Sequence, residues 1–294
     1  MDYILHILIL IGIYTILSVS LNLLVGYTGI LSMAHAAFFG VGAYVAALMA
    51  LRFNSPFILN IFLAVIGTSI IGGIIGFPSL RIKDDYFVIA TFAFQIIMFS
   101  ILNNLVDFTG GPLGLPGIPQ PVIFGIAITT HWSFLGLTTV LALFTYWSAN
   151  RIVKSPFGRV LKGLRENEVF AMSAGKNVTA FKIKIFMVSA ALASLGGVIY
   201  ATYITYIDPT SFTVMESIFI ISIVIIGGAG NLKGSFVGAV VLVALPEVLR
   251  FIGMPDSIAA NMRQILYGGL LVAFMLWRPQ GFIGEYSFGR NNGK

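Results

Sequence analysis

Apolar segments long enough to cross a membrane follow one another along almost the whole of this 294-residue chain. A helix needs about 20 apolar residues to span the hydrocarbon core of a bilayer, and about nine segments meet this requirement. They are residues 3–25, 32–51, 57–77, 86–105, 132–149, 181–203, 212–226, 236–252 and 258–277. A further apolar half-span at residues 122–128 allows a count of about eight to ten.

The composition agrees with this pattern, because 58% of the residues are hydrophobic and only 10% are charged. A soluble domain has roughly 25% charged residues. We therefore predict an all-α polytopic membrane protein, built as a single transmembrane domain over residues 1–294. Asp2 stands where a signal peptide would carry basic residues, so residues 3–25 are interpreted as the first membrane span.

A basic, polar segment at residues 151–184 interrupts the apolar pattern and carries eight of the 17 Lys and Arg residues. The positive-inside rule places such a segment in the cytoplasm. With the N-terminus outside and the C-terminus inside, only Arg52, Arg250 and Arg263 fall on the outer side. The net charge of +6 therefore belongs to loops between spans and does not indicate nucleic-acid binding.

Within the basic segment, Val160, Leu161 and Leu164 have helical spacing, with basic residues on the remaining face. Asn167 is placed to cap a second short helix, and Gly175 is placed to end it. One interpretation is an amphipathic helix lying on anionic lipid. The mixed charges of residues 165–168 favour instead a coupling helix that docks on a soluble ATPase. The predicted coupling residues are Gly158, Arg159, Arg165, Glu166, Asn167, Glu168, Ala171 and Gly175.

Polar residues and glycines interrupt the apolar sequence of residues 21–38, which suggests a broken helix at membrane depth. A similar pattern, G-x-x-G-x-L, recurs at residues 26–31 and 227–232. Such breaks expose backbone groups to a solute in many transporters, although a contact between packed helices explains the same residues equally well. The candidate pathway residues are Asn22, Gly26, Thr28, Gly29, Ser32, His35, Gly227, Gly228 and Gly230.

The outer connection at residues 107–130 is rich in proline and glycine, so we expect an ordered surface loop without a regular helix. The sequence has no cysteine, and its three histidines stand far apart, so no metal site is predicted. There is no phosphate-binding loop and no triad or carboxylate pair typical of a hydrolase. ATP and Mg²⁺ are therefore expected on a partner subunit, and no cofactor is expected on this chain.

Five segments of the sequence resemble the M-type permease subunit of prokaryotic ABC importers for branched-chain amino acids. They are LNLLVGYTGILSMAHAAFFG at 21–40, TGGP at 109–112, the run 158–179, IGGAGNLKG at 226–234 and WRPQG at 277–281. Phe170, Met172 and Gln95 depart from the family pattern, which tends to have Ala, Glu and Glu at these positions. The departures at Phe170 and Met172 affect the expected docking contacts.

This resemblance implies a permease fold in the plasma membrane of a prokaryote, with a cytoplasmic coupling loop at residues 150–180. The implied partners are a second, related permease, two cytoplasmic ATP-binding subunits and an extracytoplasmic solute-binding protein. The implied activity is import of branched-chain or related hydrophobic amino acids by alternating access. Related permeases carry urea, short amides, sugars or nucleosides, and these remain alternative solutes.

Two alternatives of another class remain open. A stand-alone secondary carrier or channel would need ionisable residues in its spans, and Glu216 and Glu247 are the best of a small set. A membrane-embedded enzyme would need a cluster of reactive side chains, and the sequence offers none.

Overall fold

The protein is described from a computed structural model that covers residues 1–80, 84–123, 125–251, 268–274, 276, 278 and 280–283. Eleven α-helices are assigned within these residues. Their bounds are α1 Asp2–Thr28, α2 His35–Phe53, α3 Phe57–Ser79, α4 Asp84–Asn104, α5 Val106–Thr109, α6 His131–Lys154, α7 Pro156–Glu166, α8 Glu168–Ser173, α9 Val178–Ile204, α10 Val214–Gly227 and α11 Leu232–Phe251. Two short 3₁₀ turns, Gly111–Leu113 and Pro209–Phe212, and residues 268–274 are also helical.

Helix α1 lies in the centre of the molecule and packs against α6, α9, α10 and α11. Every residue from Thr15 to Thr28 is buried, so this helix is surrounded by protein on all sides. A helix that is apolar all round is typical of such a position. Helix α9 packs against α1, α2 and α3. Its Gly197 lies so close to α2 that a methyl group there would be 2.2 Å from the Phe39 carbonyl oxygen.

The outer surface of the bundle is apolar, as expected for contact with lipid. Large side chains on α3 and α4, such as Phe62, Ile74 and Ile89, are more than half exposed. In the described part of the chain, five helices are long and apolar enough to span a membrane, namely α1, α2, α3, α4 and α9. The prediction of an all-α polytopic membrane protein is confirmed.

The remaining predicted spans relate to the helices in different ways. Residues 132–149 lie inside α6, which continues for 24 residues and carries Arg151 and Lys154 in its last turn. Residues 212–226 and 236–252 correspond to α10 and α11, which meet at a bend of 119°. Helix α10 has 14 residues, a length of about 21 Å, which is shorter than the hydrocarbon core. Most of residues 258–277 lie outside the described part of the chain.

The loop at residues 107–130 is ordered through pairing with the segment that follows α9. Strand β1 (Leu115–Pro116) pairs antiparallel with β4 (Tyr206–Ile207), and β2 (Val122–Ile123) pairs with β3 (Ile126–Ala127). The amide of Ile118 also donates to the carbonyl of Thr205 at 3.1 Å. The expectation that regular helix is absent was wrong at the start of the loop, since the turn α5 precedes its first proline.

Candidate functional site

Two interrupted helices meet near the end of α1 that faces the basic segment. The first interruption separates α1 from α2 at residues 29–34, and the second separates α10 from α11 at residues 228–231, which we call the glycine break. Gly228 and Gly230 have φ angles of 123° and 83°, a region that favours glycine. A methyl group on Gly26 would lie 2.2 Å from the nitrogen of Gly230, so the two similar sequence patterns are in backbone contact.

The side chain of Asn22 holds the glycine break against α1. Its Oδ1 accepts a hydrogen bond from the amide of Gly230 at 2.9 Å. Its Nδ2 donates to the carbonyl of Asn231 at 2.9 Å and to the hydroxyl of Ser235 at 2.7 Å. One fully buried amide therefore satisfies backbone groups that the interruption of the helix leaves without partners.

A C-terminal segment, residues 281–283, contacts the end of α10 from another side. The amides of Phe282 and Ile283 donate to the carbonyls of Ile226 and Gly227, at 2.8 Å and 3.1 Å. These carbonyls belong to the last turn of α10, where an α-helix has no internal donors. The glycine break is thus bounded by α1 and by this segment.

A second polar cluster surrounds His35 at the start of α2. Its Nε2 lies 3.1 Å from the Ser20 hydroxyl and 3.4 Å from the Ser189 hydroxyl. Ser189 donates to the carbonyl of Ser20 at 2.5 Å. Nδ1 of His35 is buried and has no hydrogen-bond partner among the described residues.

The first amides of α2 are satisfied by side chains from two other helices. Gln95 of α4 accepts from the amide of Ala37 at 2.6 Å and donates to the carbonyl of Phe212 at 2.7 Å. Ser217 of α10 accepts from the amide of Ala36 at 3.0 Å. A neutral amide both accepts and donates here, which an ionised glutamate at position 95 cannot do.

The predicted pathway residues are therefore mostly buried and engaged with other protein groups. Thr28 donates to the carbonyl of Leu23 at 2.9 Å, and Ser32 accepts from the amide of Ala34 at 3.3 Å. Gly29 and Leu31 are the exposed residues of the first interruption. These contacts fit the interpretation as packed helices, and the role in a pathway stays a prediction.

The basic segment forms two short helices joined by a tight connection to α6. Ser155 accepts from the amide of Gly158 at 3.3 Å and caps α7. Asn167 accepts from the amide of Phe170 at 3.0 Å and caps α8, as the sequence predicted. Gly158 is buried, and a methyl group there would lie 2.3 Å from the carbonyl oxygen of Val153. Gly175 follows α8 with a φ of 75°.

The apolar face of α7 packs inside the protein. Leu161 and Leu164 are buried, and the ring of Phe157 stacks on that of Phe181 at a centroid distance of 5.1 Å. Lys182 of α9 forms an ion pair of 2.6 Å with Glu168 of α8. These contacts fix both short helices to the membrane-spanning bundle.

Helix α8 has an exposed apolar surface, which we call the α8 patch. It consists of Val169, Phe170 and Met172, with exposed fractions of 70%, 72% and 51%. Arg159, Glu166, Asn167 and Gly175 are also exposed, whereas Ala171 is buried. Phe170 and Met172 were noted from the sequence as departures from the family pattern but are not among the predicted coupling residues.

Arg165, by contrast, lies against α1. Its Nη1 donates a hydrogen bond to the carbonyl of Gly26. The ammonium group of the neighbouring Lys162 lies 5.7 Å from the ring centroid of Tyr27. Two cations thus lie at the C-terminal end of α1, where the helix dipole is negative.

Sequence reasoning missed the serines that complete these clusters, namely Ser20, Ser189, Ser217 and Ser235. A serine in an apolar helix most often bonds to its own backbone, so its presence alone carries no signal. Across the described residues, no group of three or more His, Asp or Glu side chains is arranged to bind a metal ion.

Comparison with known proteins places this architecture among transport proteins. The family described as "Branched-chain amino acid transport system / permease component" matches residues 3–275. The high-affinity branched-chain amino acid transport system permease protein LivM of Salmonella typhimurium is 34% identical, over 92% of this chain and 68% of its own length.

Two further relatives match this chain over nearly their full length. A probable branched-chain amino acid transport permease protein LivM of Methanocaldococcus jannaschii is 27% identical, over 97% of this chain and 94% of its own. The high-affinity branched-chain amino acid transport system permease protein LivH of Salmonella typhimurium is 24% identical, over 92% of this chain and 91% of its own. No solved structure matches this chain.

Proposed function

Because this chain belongs to the family of branched-chain amino acid permease components, we propose that it is the LivM-type subunit of an ATP-driven importer for these amino acids. The importer lies in the plasma membrane of a prokaryote. Its other subunits are a related permease, two cytoplasmic ATP-binding proteins that hold ATP and Mg²⁺, and an extracytoplasmic solute-binding protein. This chain contributes the membrane passage and does not hydrolyse ATP.

The α8 patch is the observation that carries the proposal. Phe170, Val169 and Met172 are exposed next to charged residues, on a helix whose buried side is fixed by the ion pair between Glu168 and Lys182. A small apolar surface with a charged rim is typical of a protein interface. The ATP-binding subunit is the soluble partner that such a permease requires.

The packing of α7 argues against an amphipathic helix that simply rests on lipid. A lipid-bound amphipathic helix turns its apolar face toward the membrane. In α7 that face, with Leu161 and Leu164, is covered by protein. The exposed side of α7 carries Arg159, Lys162 and Glu166, which suit contacts with a protein.

The solute follows from the relatives, since LivM and LivH are named for branched-chain amino acid transport. The likeness to both proteins supports pairing of this chain with a second permease. Selectivity can reside in the solute-binding protein, so the permease itself needs no tight site for the amino acid.

Reconstitution tests the proposed function. Proteoliposomes that contain this chain, the second permease, both ATP-binding subunits and the solute-binding protein should take up labelled leucine only with ATP. Unlabelled isoleucine and valine should compete, whereas urea, ribose and adenosine should not. Uptake by this chain alone would contradict the proposal and favour a secondary carrier.

A substitution in the α8 patch tests the docking surface. Phe170→Asp should reduce co-purification of the ATP-binding subunit about tenfold or more, because a charge replaces the apolar side chain that this subunit covers in the complex. Leu113→Asp is the matched control, since Leu113 is an exposed apolar residue (84%) on the opposite outer loop. Equal loss of the subunit from both variants, or no loss from Phe170→Asp, would reject the α8 patch as the docking site.

A further inference from the structure

Arg165 and the glycine break both contact the turn of α1 around Gly26. The Arg165 guanidinium donates to the Gly26 carbonyl, one of the last four carbonyls of α1. These carbonyls have no donors within the helix. The Cγ of Arg165 also lies 3.0 Å from the position that a methyl group on Gly29 would take. Arg165 is therefore fixed to the end of α1 by its charge and by its aliphatic part.

The glycine break contacts this turn through the backbone of Gly26 and the side chain of Asn22. Gly26 permits backbone contact with Gly230, and Asn22, one turn earlier, binds Gly230, Asn231 and Ser235. Displacement of this turn by an ångström must therefore displace the break as well, because closely packed groups do not compress.

The break has the conformation of a hinge. Helices α10 and α11 meet there at 119°, and glycines supply the backbone angles. Hinges in moving proteins are short segments at the ends of elements that absorb changes in φ and ψ. On either side of the break, α10 and α11 are regular helices, and each can rotate about the break as a rigid body.

We infer that Arg165 is a positioning residue that transmits movement of α7 through the last turn of α1 to a hinge at residues 228–231. This inference rests on the proposed function and deepens it, since it assigns Arg165 to the contact between α7 and α1 and not to the surface that docks on the ATP-binding subunit. ATP-binding subunits that displace α7 and α8 then change the angle between α10 and α11. The ion pair between Glu168 and Lys182 makes α8 and α9 move together.

The first readout separates transmission from docking. In the complete reconstituted importer, Arg165→Met should keep the ATP-binding subunits bound and hydrolysing ATP, but move about tenfold less leucine per ATP hydrolysed. Arg165→Lys retains a cationic donor and should restore most of the ratio. Lys154→Met, which removes an exposed cation at the end of α6, is the charge control and should behave as the wild type.

The second readout follows the hinge itself. The chain has no cysteine, so a single Lys233→Cys substitution accepts one spin label or fluorophore just after the break. Addition of ATP should change the signal of this label in the wild-type background and in Arg165→Lys, and should leave it unchanged in Arg165→Met. This measurement requires an assembled complex but does not depend on uptake of the solute. It can therefore be made on a variant with little transport activity.

The outcomes are distinct. If Arg165→Met couples transport to ATP normally, or changes the label signal as the wild type does, the inference is overturned. If Arg165→Met releases the ATP-binding subunits, Arg165 belongs to the docking surface and the inference is again overturned. If the wild-type complex shows no ATP-dependent uptake of any tested solute, the proposed function itself fails. If the Arg165→Met chain itself does not fold, Arg165→Gln, with a shorter neutral donor, takes its place in both readouts.

Discussion

At the scale of single residues, buried amides connect helix ends that the backbone leaves incomplete. Asn22 bonds to three groups around the glycine break, and Gln95 bonds to the start of α2 and to the Phe212 carbonyl. Each amide serves as donor and acceptor at once, which hydroxyl groups or carboxylates do less well in these positions. Removing such a group leaves buried backbone atoms unsatisfied, and this costs more than the bond itself contributes.

Asn22→Ala should lower the stability of the chain by about 1–3 kcal/mol, because the amide of Gly230 and the carbonyl of Asn231 lose their partner. The measurement is the thermal midpoint of the purified chain in detergent. Asn104→Ala is the control, since Asn104 is exposed and donates to the carbonyl of Ser100 in its own helix. Equal midpoints for the two variants would show that the bonds of Asn22 add no stability.

The sequence held a signal for Arg165 that the charge pattern obscured. Arg165 follows Leu161 by four residues, so both lie on the same face of α7, and Leu161 is fully buried. The alternating charges of residues 165–168 favoured an outward position, whereas helical spacing alone predicts an inward one. Interaction with the end of α1 explains how the charge is accommodated there.

At the scale of helices, close packing depends on glycines whose position matters more than their number. Gly26 of α1 touches Gly230, whereas Gly136 of α6 has nothing within 4 Å of the place of a methyl group. Both lie in helices, so the intrinsic preference for alanine is the same at the two positions. Only the surroundings differ, which makes the two residues a matched pair.

Gly26→Ala should therefore destabilise the chain by about 1–3 kcal/mol through overpacking, because α1 must separate from the break. Gly136→Ala should instead be neutral or stabilise it by about 0.5–1 kcal/mol. Thermal unfolding of both proteins in the same detergent measures the difference. A stable Gly26→Ala variant would mean that α1 and the break separate without cost.

Element positions could be predicted where a single helix decides them, and not where several helices meet. Long apolar runs located α1 to α4 and α9, and Asn167 and Gly175 marked the ends of α8. The bend between α10 and α11 was not predicted, because glycines at 227–230 fit a loop between two spans equally well. Likewise, the meeting of Gln95, Ser217 and the start of α2 depends on packing between segments that lie 58 and 181 residues apart along the chain.

At the scale of the whole molecule, the two ends of the bundle are chemically different. At one end the basic segment, with its helices α7 and α8, packs against the C-terminus of α1. The other end holds the paired loop and a pocket of about 270 Å³ lined by residues that include His6, Gln120, His131 and Tyr203. The positive-inside rule assigns the first end to the cytoplasm.

Single cysteines test this orientation, since the natural chain has none. In right-side-out vesicles that contain this chain without the ATP-binding subunits, a membrane-impermeant maleimide should label Leu113→Cys and should leave Phe170→Cys unlabelled. Both residues are exposed, at 84% and 72%, so access to reagent and not burial decides the result. Permeabilised vesicles are the control, in which both cysteines should react. Labelling of Phe170→Cys in intact vesicles would reverse the assignment.

The central position of α1 has a consequence for biosynthesis. This helix leaves the ribosome before its neighbours α6, α9, α10 and α11, and Asn22 bonds to Asn231 and Ser235 more than two hundred residues later. Helix α1 must therefore remain incompletely packed in the lipid until α11 has been made. Synthesis that halts before residue 231 yields a chain in which α1 has no α11 to pack against.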